Sequence, residues 1–121
     1  MNSTNATIVA FISQDFSLYA FKVSIGKISE SICSQVARLL KEERKSRNIS
    51  LNSLSAKAGL SRQTIAFIEQ ELRTPTIDTL LRITLSLEID AKEILARAQK
   101  QSPDLSDWIN KSRKTKKGSA N

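Results

Sequence analysis

In the segment LNSLSAKAGLSRQTIAFIEQ, residues 51–70, a glycine stands between two runs of otherwise helical character. Gly59 is one of only three glycines in the chain, so its position is informative. A glycine takes positive φ without steric cost, which lets two short helices meet at a steep angle across a tight turn. Leu54, Ala58, Leu60, Ile65 and Ile68 are apolar at the positions that face a shared core, and Ser55 and Ala56 are small enough for close helix contact. The spacing predicts a helix that ends at Gly59, then Ser61 as the cap of another helix over residues 62–70.

The flanking sequence is helical on the same grounds. From Ser29, the residues Ile32, Val36, Leu39 and Leu40 fall on one helical face, and the other faces are charged. This first helix ends at RNIS, where Asn48 tolerates a left-handed conformation. Ser50 caps a second helix over about residues 51–58. LRTPT breaks the chain after the third helix. Thr76 caps a fourth carrying Ile77, Leu80, Leu81, Ile83, Thr84 and Leu87. Asp90 caps a fifth, with Glu93 in a capping-box position and Ile94 and Leu95 facing inward, until Pro103 stops it. The expected class is all-α, with a five-helix domain over residues 29–100.

Both ends differ from this middle. Residues 1–28 contain TIVAFI and FSLYAFKVSI, and Phe21, Val23 and Ile25 alternate with Lys22 and Ser24 as in a strand. Two readings stand for this arm: a β-hairpin turned at SQD, which needs a partner to be stable, or a disordered extension. In residues 101–121, PDLSDW is long enough for one more helical turn, and KSRKTKKGSAN is expected to be disordered. Lys111, Arg113, Lys114, Lys116 and Lys117 lie there, and without these five the formal charge falls from +7 to +2. Such a basic tail suits either solvent or nucleic acid.

Composition removes several function classes. The chain has no histidine, one cysteine (Cys33) and no phosphate-cradling glycine loop, which argues against an enzyme, a metal site or a cofactor. A single cysteine allows no internal disulfide. No run approaches the roughly 18 apolar residues of a membrane span, and the N-terminus lacks a secretory pattern, so a cytoplasmic, nucleoid-associated protein is expected.

The outward positions of the third helix, Arg62, Gln63, Thr64, Ala66, Phe67 and Gln70, lack the usual Glu/Lys surface mix and suit the reading of hydrogen-bond patterns. The interval from Ser55 to Gly59 to Ile65 to Ile68, together with SRQTI, R-x-P-T-x-x-T-L and D-x-x-E-I-L, forms an ordered set over residues 31–98. This region resembles the lambda-repressor-like helix-turn-helix domains, the Cro and xenobiotic-response-element type of bacterial transcription regulator. The resemblance implies a five-helix bundle whose third helix enters the DNA major groove, where each base pair shows a distinct donor and acceptor pattern. It assigns base contacts to Arg62, Gln63, Ala66 and Phe67. Arginine pairs with guanine, glutamine with adenine, and Ala66 or Phe67 packs on a thymine methyl. Backbone contacts fall to Ser50, Asn52, Lys57, Ser61, Thr64, Arg73 and Thr74. Arg44 and Glu69 are implied as an ion pair linking the first helix to the third.

Three positions depart from the family pattern. Leu51 stands where glutamine often braces a phosphate, Glu71 where glycine is frequent, and Phe67 where a polar residue is common. The implied function is a sequence-specific DNA-binding regulator, most simply a dimeric repressor on a near-palindromic operator with half-sites one helical turn apart. The competing reading is an antitoxin, in which the apolar N-terminal segment grips a small toxin protein while the same helices repress the shared operon. Dimer contacts are open among the fifth helix, the region of Trp108 and residues 8–25.

Overall fold

A computed structural model describes the backbone of residues 2–119 and the side chains of residues 17–114. It contains α1 (Asn2–Ser46), α2 (Leu51–Ala58), α3 (Arg62–Glu69), α4 (Ile77–Ser86), α5 (Ala91–Lys100) and α6 (Pro103–Ser119). The fold is all-α, with no strand among the described residues. Each of α2 to α5 starts at the residue whose side chain can accept from an unpaired amide. Ser50 accepts from Ser53 N–H, Ser61 from Thr64, Thr76 from Thr79 and Asp90 from Lys92.

The core lies between the C-terminal half of α1 and α2–α5. Leu39, Leu40, Leu54, Ile65, Ile68, Ile83, Leu87 and Ile94 are its largest buried apolar side chains. Leu95 does not face inward as its spacing suggested. It is exposed, and so are Ile77, Leu81 and Leu85, which line one outer stripe of α4. Ile94 and Ala98 already fill the inner line of α5, which turns the adjacent position outward.

Among the described residues, neither the hairpin nor the disordered arm expected for residues 1–28 is present. Residues 2–28 are the first part of α1, which is 45 residues long. Helix nucleation is costly but propagation is not, so a segment joined to a formed helix continues it even when rich in β-branched residues. Alternation at Phe21, Val23 and Ile25 coexists with a 3–4 spacing through Leu18, Phe21, Ile25, Ile28 and Ile32, and the helical period prevails. The side chains of TIVAFI and SQD lie outside the described residues.

The C-terminal tail also departs from expectation: α6 carries the chain as helix to Ser119. Pro103, which ends α5, is the first residue of α6, a position where its missing N–H costs nothing. Ser102 Oγ accepts from Leu105 N–H at 3.3 Å and meets Ser31 Oγ of α1 at 2.7 Å. From this contact α6 runs back along α1, bringing Lys111 near Ser24 and Lys27. The side chains of Lys116 and Lys117 lie outside the described residues. No helix among the described residues is long and apolar enough to cross a membrane.

Glu43 ties α1 to α5. Its Oε1 accepts from Arg97 Nη1 at 2.7 Å, and its other oxygen accepts from Arg47. The hydrogen bond from Arg97, and next that from Arg47, hold the Glu43 carboxyl below its ordinary 4.5. A depressed carboxylate contributes stability above its unfolded value and loses it as pH falls through the folded value. The melting temperature is therefore expected to decline as pH drops below about 4.5, and Glu43→Gln should flatten that acid limb. Parallel acid limbs in the two proteins would assign the decline to other carboxylates.

Candidate nucleic-acid interface

Gly59 forms the corner between α2 and α3. It adopts φ 67° and ψ 34°, and the following amide, Leu60 N–H, returns to Ser55 O at 3.1 Å. Arg82 of α4 braces the same corner. Its Nη1 donates to the Ala58 carbonyl at 3.4 Å and sits 3.1 Å from where a Cβ on Gly59 would lie. An alanine there meets both the left-handed backbone cost and this guanidinium.

Ser61 then starts α3, and its hydroxyl also meets Thr64 Oγ1 at 2.7 Å. Thr64 is thus part of the cap, half-buried, with its hydroxyl already engaged. Ile65 and Ile68 are buried in the core and fix the rotation of the helix. The opposite side carries Arg62 and Gln63, both exposed, with Ala66 and Phe67 half-buried beside them. Among the described residues no hydrogen bond or ion pair engages the Arg62 or Gln63 side chains, whereas the Phe67 carbonyl accepts from Leu72 and Arg73 N–H at 2.8 and 3.2 Å. Those two bonds fold the loop after α3 back onto the helix, with Arg73 and Thr74 exposed. Ser50, Asn52, Lys57 and Ser61 are exposed as well.

Arg44 and Glu69 meet in a two-pronged pair: Nε to Oε1 at 2.6 Å and Nη2 to Oε2 at 3.0 Å. The third guanidinium nitrogen donates to the Ile49 carbonyl at 2.9 Å. Only 11% of the arginine side chain and 6% of the glutamate side chain are exposed. One residue of α1 thereby holds the end of α3 and the turn after α1 together.

The turn after α3 has Glu71 in place of the frequent glycine and keeps the conformation that glycine favours. Glu71 adopts φ 63°, and Glu71 and Leu72 N–H return to Ile68 and Phe67 carbonyls at 3.1 and 2.8 Å. This is the Schellman closure that glycine favours, built on a glutamate. The same closure appears at Asn48 and Glu88. Ile49 and Ile89, the residues after those two, pack on the core, whereas Leu72 is 70% exposed. Ser34 Oγ of α1 donates to the Glu71 carboxylate and partly offsets the strain. Glu71→Gly should raise stability by about 0.5–1 kcal/mol, net of that bond and the freer unfolded chain. Thermal melting checks this, and a lowered melting point would show that the Ser34 bond outweighs the backbone cost.

Among the described residues no group of three or more His, Cys, Asp or Glu side chains is placed to hold a metal ion. The geometry is instead a short helix with an open outer side, a tight glycine corner before it and exposed basic and hydroxyl groups at both ends. A sequence family described as helix-turn-helix matches residues 40–94, which spans α2, the corner, α3 and α4. This region is a helix-turn-helix domain of the lambda-repressor-like type. The protein is a DNA-binding transcriptional regulator rather than an enzyme.

Solved structures of regulators are similar to about half of this chain. The restriction-modification controller protein C.Esp1396I is 28% identical over 55% of this chain and 91% of its own, with a TM-score of 0.51. The controller C.AhdI from Aeromonas hydrophila is 22% identical over 51% of this chain and 94% of its own, with a TM-score of 0.49. SinR, a master regulator for biofilm formation solved in complex with DNA, is 30% identical over 50% of this chain and 97% of its own, with a TM-score of 0.47. No curated protein sequence matches the chain.

Proposed function

We propose that this protein is a sequence-specific repressor that inserts α3 into the major groove of a near-palindromic operator as a homodimer. The observation that carries the reading is the outer side of α3, open to solvent and held rigid from behind by the Gly59 corner and the buried Arg44–Glu69 pair. Arg62 and Gln63 read base edges, and Ala66 and Phe67 pack on a thymine methyl. Ser50, Asn52, Lys57, Ser61, Thr64, Arg73 and Thr74 contact the backbone. The free amides at the start of α2 are suited to a phosphate, and these contacts set affinity and salt dependence rather than sequence choice.

A dimer follows from the economy of the site. One α3 spans a few base pairs, whereas two copies on a two-fold axis double the contact and call for half-sites one helical turn apart. Selection of bound duplexes from a random DNA pool tests the reading. An inverted repeat with about 10 base pairs between half-site centres is expected. Enrichment of no sequence, or of a single half-site bound by one copy, contradicts it.

The antitoxin reading is favoured by one observation, the exposed apolar side chains on the N-terminal part of α1. It predicts that a small protein copurifies with the chain and modifies its affinity for DNA.

A further inference from the structure

α1 continues past the bundle with its core-facing line unchanged in character. Leu18, Phe21, Ile25, Ile28 and Ile32 follow one another at 3–4 spacing, the repeat that keeps one seam facing a partner helix. Ile32 packs on the core and Ile28 is half-buried, but Leu18, Phe21 and Ile25 are exposed. α6 covers only part of this seam. Between the two helices lies an open apolar groove of about 340 Å³, lined by Phe21, Ile25, Ile28, Ile32, Leu105 and Trp108.

We propose that this α1–α6 arm is the self-association surface, on which the arm of a second copy packs to complete a four-helix arrangement. The inference deepens the dimer proposed above and rests on it. Three features favour a second copy as the occupant. Leu18, Phe21 and Ile25 on the seam and Trp108 of α6 are 37–57% exposed, together a few hundred Å². That is a large share of the roughly 800 Å² per partner that a stable interface buries.

The charges of the arm largely balance within each copy. Lys22 and Lys27 are the only charged residues of α1 between residues 17 and 29, while the start of α6 carries Asp104 and Asp107. Lys27, Asp104, Asp107 and Lys111 line one pocket of the same copy, so two arms meet with little net repulsion, and the serines flanking the seam allow close approach. The position also suits the site. Phe21 lies 23 residues from Arg44, about 35 Å along the helix axis, so a dimer joined here leaves α3 open.

The test is sedimentation of the full chain over a range of concentrations, with Trp108 emission read in parallel. Wild type is expected to be a dimer whose Trp108 emission shifts to shorter wavelength as it associates. The double variant Phe21→Glu/Ile25→Glu should raise the dimer dissociation constant at least about 100-fold. Leu81→Glu/Leu85→Glu, on the exposed stripe of α4, should leave it within about threefold. Because Phe21 and Ile25 are exposed, the bundle's melting transition should be retained in the arm variant. The emission shift of the unmodified chain gives a readout that does not depend on that variant folding.

A dimer that survives the arm variant and is lost in the α4 variant overturns the arm as interface but leaves the dimer standing. A dimer with no change in Trp108 emission does the same. A wild-type chain that is monomeric at every concentration and on its selected DNA overturns both. So does a chain that pairs through this groove only with a different protein.

Discussion

Glu69→Ala is expected to cost about 3–5 kcal/mol of folding stability, because it leaves the Arg44 guanidinium desolvated without its carboxylate. Both nitrogens that face Glu69 would lose an acceptor, while the bond to the Ile49 carbonyl keeps the arginine from swinging freely into water. Chemical denaturation reads the loss directly. The double variant Arg44→Met/Glu69→Leu should recover most of it, since replacing both partners removes the stranded charge. A cost below about 1 kcal/mol for Glu69→Ala would place the pair with exposed ion pairs, whose worth is small. DNA affinity of Glu69→Ala, measured where the variant is still folded, should also fall, because the pair fixes α3 against α1.

Arg62→Ala is expected to weaken binding to the selected operator by about 1–3 kcal/mol, roughly five- to 150-fold. The effect should be confined to sequence choice at one base pair per half-site. Competition titrations against duplexes altered at each position separate the two roles open to this arginine. A relaxed preference at one position marks a base contact. An equal loss on every duplex, with a reduced dependence on salt, marks a phosphate contact instead. Folding stability should be nearly unaffected, because Arg62 is exposed and caps nothing.

Much of the fold was legible because helix starts and corners have local chemistry. Ser50, Ser61, Thr76 and Asp90 each cap the helix their side chains suggested, and Gly59 sits in the left-handed region that only a glycine enters freely. The face of α3 was legible as the set of positions left over once Ile65 and Ile68 are turned inward. The N-terminal arm was not. Phe21, Val23 and Ile25 satisfy a two-residue period and Leu18, Phe21, Ile25 and Ile28 a helical one, and only attachment to a formed helix decides between them.

The left-handed glutamates, Glu71 and Glu88, were equally hidden, since nothing local marks a glutamate for positive φ. They hold it because the hydrogen bonds that close α3 and α4 leave the chain no other route. The brace from Arg82 to Ala58 and the tie from Arg97 to Glu43 join residues 24 and 54 apart, beyond the reach of helical spacing. For α4, six apolar or small positions were legible, but spacing alone did not separate the buried Leu80, Ile83 and Thr84 from the exposed Ile77 and Leu81.

Amide hydrogen exchange with and without the selected duplex shows whether the outer side of α3 meets DNA. Slowed exchange is expected over residues 61–70, at the start of α2 and in the loop at Arg73 and Thr74, with the exposed stripe of α4 unchanged. Protection limited to the α1–α6 arm, with α3 exchanging as in the free protein, would mean that α3 is not the DNA-contacting element.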